Sequence, residues 1–158
     1  MKMSGMLMAA ILGVGAAGVA AQADTQSAMA GHGWPNHFDT CFGSSFAMIV
    51  NNCTSQKLFI VPIQATPNSL YFAHARASGA VAYNKTSCQA MTIGPNNTGW
   101  VFTSVKHTNV GLTPETLALG ALQVPAQGTA HFECWLAGWV SDLQGGGSGG
   151  RLINVELR

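Results

Sequence analysis

The sequence predicts an all-β protein: an antiparallel β-sandwich of the immunoglobulin-like or jelly-roll type, with about eight short strands and two disulfides. Three observations predict it. Short β-prone runs recur along the chain, cut by clusters of Asn, Gly, Pro and Ser. Helical periodicity is scarce. Four cysteines follow what reads as an export signal, and an even count in that setting implies a disulfide framework.

The first residues set the compartment. MKMSGMLMAAILGVGAAGVAAQAD holds one lysine, Lys2, then an uncharged run to Ala23 that closes on the small-x-small triplet Ala21-Gln22-Ala23. A signal peptidase accepts that pattern. Residues 1–23 are therefore read as a signal peptide, 24–40 as an irregular N-terminal segment, and 41–158 as a single β-sandwich domain. The Ala- and Gly-rich leader has a bacterial character, so a periplasmic or secreted location is expected. No later stretch is long and apolar enough to span a bilayer. Removing Lys2 with the leader leaves six Lys and Arg of the seven in the chain, against six Asp and Glu. This balance lacks the basic stripe that a phosphate backbone requires, so nucleic acid is excluded as a partner. A chain so poor in charge has little protection against self-association.

The elements follow in order. "SSFAMIV" (44–50) precedes the turn "NNCTSQ". "KLFIVPI" (57–63) is nearly continuous in apolar residues, as a strand buried on both faces is, with Pro62 marking an edge or a bulge. "SLYFAHA" (69–75) and "GAVAY" (79–83) flank "RAS" and read as a hairpin with Gly79 near its turn. "SCQAMTI" (87–93) runs into the turn cluster "GPNNTG", and "WVFTSV" (100–105) alternates. "ETLALGALQV" (115–124) has a helix start at Thr113-Pro114, but its alternating Leu117, Leu119 and Ala121 and its interior Gly120 favour a strand. "TAHFECWLAGWV" (129–140) and "RLINVEL" (151–157) complete the set. Between them "GGGSGG" (145–150) reads as a mobile loop.

Of three possible pairings of the cysteines, Cys41–Cys53 closes a short local loop and Cys88–Cys134 joins two predicted strands. Chain entropy assigns these loops about 3 and about 4 kcal/mol. The bridges are expected to staple the two layers together.

Two stretches hold the candidate site residues. "GHGWPNHFDTC" (31–41) groups His32, His37 and Asp39, whose imidazoles and carboxylate suit copper or zinc. The competing reading tucks Trp34 and Phe38 against the sandwich. In "AHFECWLAGW" (130–139), a strand places Phe132, Cys134 and Leu136 on one face and His131, Glu133 and Trp135 on the other, with Trp139 just beyond. That outer stripe is a candidate ligand-binding site, because a tryptophan beside polar groups stacks on a sugar or anchors a protein. His74 and His107 are isolated in the sequence. A nucleophile elbow is missing, and six acids offer few carboxylate pairs for a glycosidase.

The expected function is that of an exported, non-catalytic binding or structural component of the cell envelope or secreted fraction. Its expected partner is a protein or a glycan, and no cofactor is expected. The alternatives are a periplasmic copper- or zinc-binding protein using the N-terminal histidines, and a small secreted hydrolase.

Overall fold

Two antiparallel sheets of six strands each face one another. The computed structural model describes residues 24–35, 40–141 and 146–158. Among these, fourteen strands occur and no α-helix does. Six strands have seven or more residues: β5 (Lys57–Ile63), β6 (Leu70–Ser78), β7 (Ser87–Ile93), β10 (Glu115–Gln123), β11 (Thr129–Leu136) and β14 (Arg151–Leu157). The shorter ones are β1 (Asp24–Ser27), β2 (His32–Trp34), β3 (Phe42–Ser45), β4 (Met48–Asn51), β8 (Val101–Phe102), β9 (Lys106–His107), β12 (Val140–Ser141) and β13 (Gly147–Ser148). The first sheet runs β10-β6-β14-β4-β3, with β1 also on β14. The second runs β2-β5-β11-β7-β8, with β9 also on β7. A two-stranded ribbon, β12-β13, stands apart.

Alternation builds the core. In β6 the inward residues are Tyr71, Ala73, Ala75 and Ala77, and in β11 they are Ala130, Phe132, Cys134 and Leu136; all are buried. Leu119, Leu122, Val155, Leu157, Phe59 and Val61 fill the space between the layers. The three alanines on the inner face of β6, Ala73, Ala75 and Ala77, leave room for the large side chains opposite, as close packing demands. Glycine serves β10 where its register slips after Ala118: Gly120 has φ +111, a conformation that side chains rarely adopt.

Both disulfides form, Cys41–Cys53 and Cys88–Cys134, and no described cysteine is free. Neither staples the layers. Cys88 and Cys134 are directly opposite each other on neighbouring strands of the second sheet, and Cys41–Cys53 closes the base of the β3–β4 hairpin. Part of the link between sheets is polar instead. Fully buried Asn51 ends β4 in the first sheet. Its amide donates to the carbonyl of Leu136 at the end of β11 (3.0 Å) and to Ser55 (2.9 Å), and its oxygen accepts from the Cys53 N–H (3.0 Å). Asn51→Ala strands three buried or half-buried backbone groups, and the expected cost is about 2–3 kcal/mol in urea unfolding. A loss below about 0.5 kcal/mol, the range of neutral surface changes, refutes this role.

Several expectations are corrected. Residues 24–34 are not irregular: β1 pairs with β14 and β2 with β5. Asp24–Ser27 is polar, so β1 is held by backbone bonding to β14, while Ala28 just after it is buried in the core. Trp34 is not tucked in but 54% exposed. β5 is not buried on both faces. Leu58 and Ile60 are half-buried and Pro62 is exposed, past the stretch that β2 covers. The hairpin at "RAS" is replaced by a continuous β6 through Ser78, because Ala75, Ala77 and exposed Arg76 keep the alternation going. In "GGGSGG", Ser148, Gly149 and Gly150 are buried rather than loose; a Cβ on Gly149 would overlap the carbonyl of Asn51.

Candidate functional site: the outer face of the second sheet

Register turns the outer stripe of β11 into a surface. Directly opposed residues share a face, and three rows cross the sheet. The first reads Trp34, Leu58, Trp135, Ser87, His107. The second reads His32, Ile60, Glu133, Gln89. The third reads Pro62, His131, Met91, Phe102, and in it Met91 is buried. Neighbouring rows are about 7 Å apart and the face is about 19 Å wide, from the usual strand geometry.

Aromatic rings stand at both edges. Trp34 lies on β2 at one side. At the other, Trp100 and Phe102 stack with centroids 6.2 Å apart, and the Trp100 indole N–H donates to the carbonyl of Asn97 (2.9 Å). Both are about half exposed, at 52% and 50%. Trp135 is half-buried near the centre.

The polar groups between them are held in place. The Gln89 amide donates to Glu133 Oε2 (2.7 Å), and His131 Nε2 lies 3.7 Å from Glu133 Oε1. Ser87 Oγ and His107 Nδ1 share a hydrogen bond of 2.7 Å. Burial lowers the His131 pKa below its ordinary value. The Glu133 carboxylate opposes that shift, and nearby His32 reinforces it. The imidazole is therefore neutral at pH 7, a donor and acceptor rather than a cation.

The structure thus brings His131, Glu133 and Trp135 together on one face. Trp139 is not with them: it follows the end of β11 and lays its indole over Gly147 of β13. His32 joins this face opposite Ile60. His37 and Asp39 lie outside the described residues, and among those described no group of three or more His, Cys, Asp or Glu can hold a metal ion. Trp34, Ser87, Gln89, Trp100, Phe102 and His107 were not singled out from the sequence as members of this site. Outward parity within each strand is readable locally, but the rows that join the strands are not.

No protein-family model matches the chain, and no curated protein does. Solved structures do. The sandwich is similar to a crystal structure of Podospora anserina GH26-CBM35 β-(1,4)-mannanase, with a TM-score of 0.52 and 12% identity, over 85% of this chain and 27% of that one. A structure described as CBM4 matches over 73% of this chain and 70% of its own, at 10% identity and a TM-score of 0.39. At such identities the likeness to the mannanase structure is one of fold. The chain spans about a quarter of its length. The two sheets and their bridges define an antiparallel β-sandwich with two disulfides, as oxidising compartments allow. No helix among the described residues is long and apolar enough to cross a membrane.

Proposed function

We propose that this protein is an exported, non-catalytic carbohydrate-binding β-sandwich that holds a neutral glycan chain on the outer face of the second sheet. The observation that carries the reading is the row Trp34–Leu58–Trp135, which sets two tryptophans on one face at strand positions two spacings, or about 10 Å, apart. Indoles present flat apolar faces to the C–H faces of sugar rings. Glu133, Gln89, Ser87 and His107, already ordered by their own hydrogen bonds, supply donors and acceptors for ring hydroxyls. The fold shared with a mannanase named for a CBM35 unit, a carbohydrate-binding module, supports the same reading. Glycoside hydrolysis draws on two facing carboxylates, whereas Glu133 is the carboxylate of this face among the described residues. The leader-like residues 1–23 and the two disulfides support export.

The test is affinity electrophoresis and calorimetry of the processed protein against soluble β-1,4-mannan, β-glucan and xylan. At least one neutral polysaccharide should retard it. Trp135→Ala should weaken binding by about 2 kcal/mol, the scale of a tryptophan anchor, or roughly thirtyfold. Retardation that survives both Trp34→Ala and Trp135→Ala, or no retardation by any of them, rejects the proposal.

A further inference from the structure

The outer face of the first sheet is built of different chemistry. Its rows read Thr116, Arg76, Asn154, Ser27 and Ala118, His74, Glu156, Thr25. Arg158 lies alongside, its backbone paired with that of Phe72. A depression of about 150 Å³ opens between His74, Arg76, Thr116, Asn154, Glu156 and Arg158. A cavity of about 150 Å³ holds one benzene ring, so this is the size class of a single six-membered ring.

The charges in it are unevenly matched. Arg158 Nη2 holds Glu156 Oε2 at 2.8 Å, and that hydrogen bond keeps the Glu156 carboxyl below its ordinary pKa. The Arg76 side chain, exposed in the middle of the other row, has no hydrogen-bond or ion-pair partner among the described residues. A guanidinium fork left open on a sheet face matches a planar carboxylate, which it takes through two parallel hydrogen bonds. A bare anion would leave its neighbours idle, because Thr116 and Asn154 flank Arg76 directly and His74 is one row away. They offer a hydroxyl, an amide and an imidazole to hydroxyl groups beside that carboxylate. Phe72, 58% exposed in the row after His74, adds an apolar surface at the rim.

We infer that this depression is a second binding site, on the opposite face of the sandwich from Trp135, for a single carboxylated sugar: Arg76 takes the carboxylate, and Thr116, Asn154 and His74 take the ring hydroxyls. Such a site gives one module two separate contacts, a neutral chain on one face and an acidic sugar on the other. It stands without the glycan reading of the second sheet.

The experiment is a backbone-amide NMR titration of the processed protein with glucuronate and galacturonate, run beside glucose, acetate and inorganic sulfate. One uronate should shift amides of β6, β10 and β14 around Arg76, and bind more tightly than glucose, acetate or sulfate. Arg76→Gln should weaken it about tenfold or more, and Arg76→Lys by less, as expected when a fork becomes a point charge. Trp135→Ala should leave it unchanged, which separates this site from the face of the second sheet. The inference is overturned if neither uronate binds, if acetate or sulfate binds as well, if Arg76→Gln binds like the parent protein, or if the shifts map to β2, β5 and β11. Arg76 is exposed, so its variants keep the fold, and their unperturbed amide spectra confirm it.

Discussion

The double variant Cys88→Ala/Cys134→Ala is expected to lose about 4 kcal/mol of stability, which lowers the melting temperature by roughly 12 °C for a domain of this size. The bridge spans 46 positions of sequence, and opening a loop of that length returns a large amount of freedom to the unfolded chain. Both cysteines are completely buried in the inner layer of the second sheet, beside Phe132 and Leu136. Removing two sulfurs there also thins the core, so the loss is not confined to the unfolded state. Cys41→Ala/Cys53→Ala is expected to cost less, about 3 kcal/mol, because its loop spans only 12 positions. Urea unfolding with and without reductant checks the order. If the reduced parent protein melts with the oxidised one, the bridges do not contribute in this way.

Gly149→Ala carries the second large effect, also about 4 kcal/mol. Overpacking of a core costs about 1–3 kcal/mol when side chains can shift. Here the new methyl meets the backbone carbonyl of Asn51, which has little freedom to move. Relief requires residues 149 and 150 to withdraw from β4. That withdrawal breaks the bond from the Asn51 N–H to the carbonyl of Gly150 (3.0 Å) and disturbs the Asn51 side chain that ties the sheets. Gly111→Ala is the control, since its nearest neighbour stands at an ordinary 3.4 Å, and it should change stability by less than about 1 kcal/mol. Equal melting of the two variants would show that the strand after Gly150 tolerates displacement.

The two bridges and the buried glycine are unequally visible before folding. Cysteine count and spacing already led to two disulfides. Gly149 looked like part of a loose loop, because a glycine that allows close approach and a glycine that allows motion are the same letter. The site divides in the same way. His131, Glu133 and Trp135 fall on one side of a strand by alternation alone, and a reader of "AHFECW" finds them. Trp34 sits about a hundred residues from Trp135 in the chain, and no local pattern links them. They meet because β2 and β11 both pair with β5, each placing its indole opposite Leu58.

By itself the sequence determined an all-β sandwich with two disulfides, since alternation, turn residues and cysteine count act over a few positions at a time. Only the tertiary structure decided the rest: that the polar segment "DTQS" becomes a strand on β14, that both bridges stay within their own layer, and that an open arginine faces away from the tryptophans. These depend on which strands become neighbours and in what register. Register is fixed by the packing of the whole core, a sum over contacts far apart in the chain that no short stretch encodes.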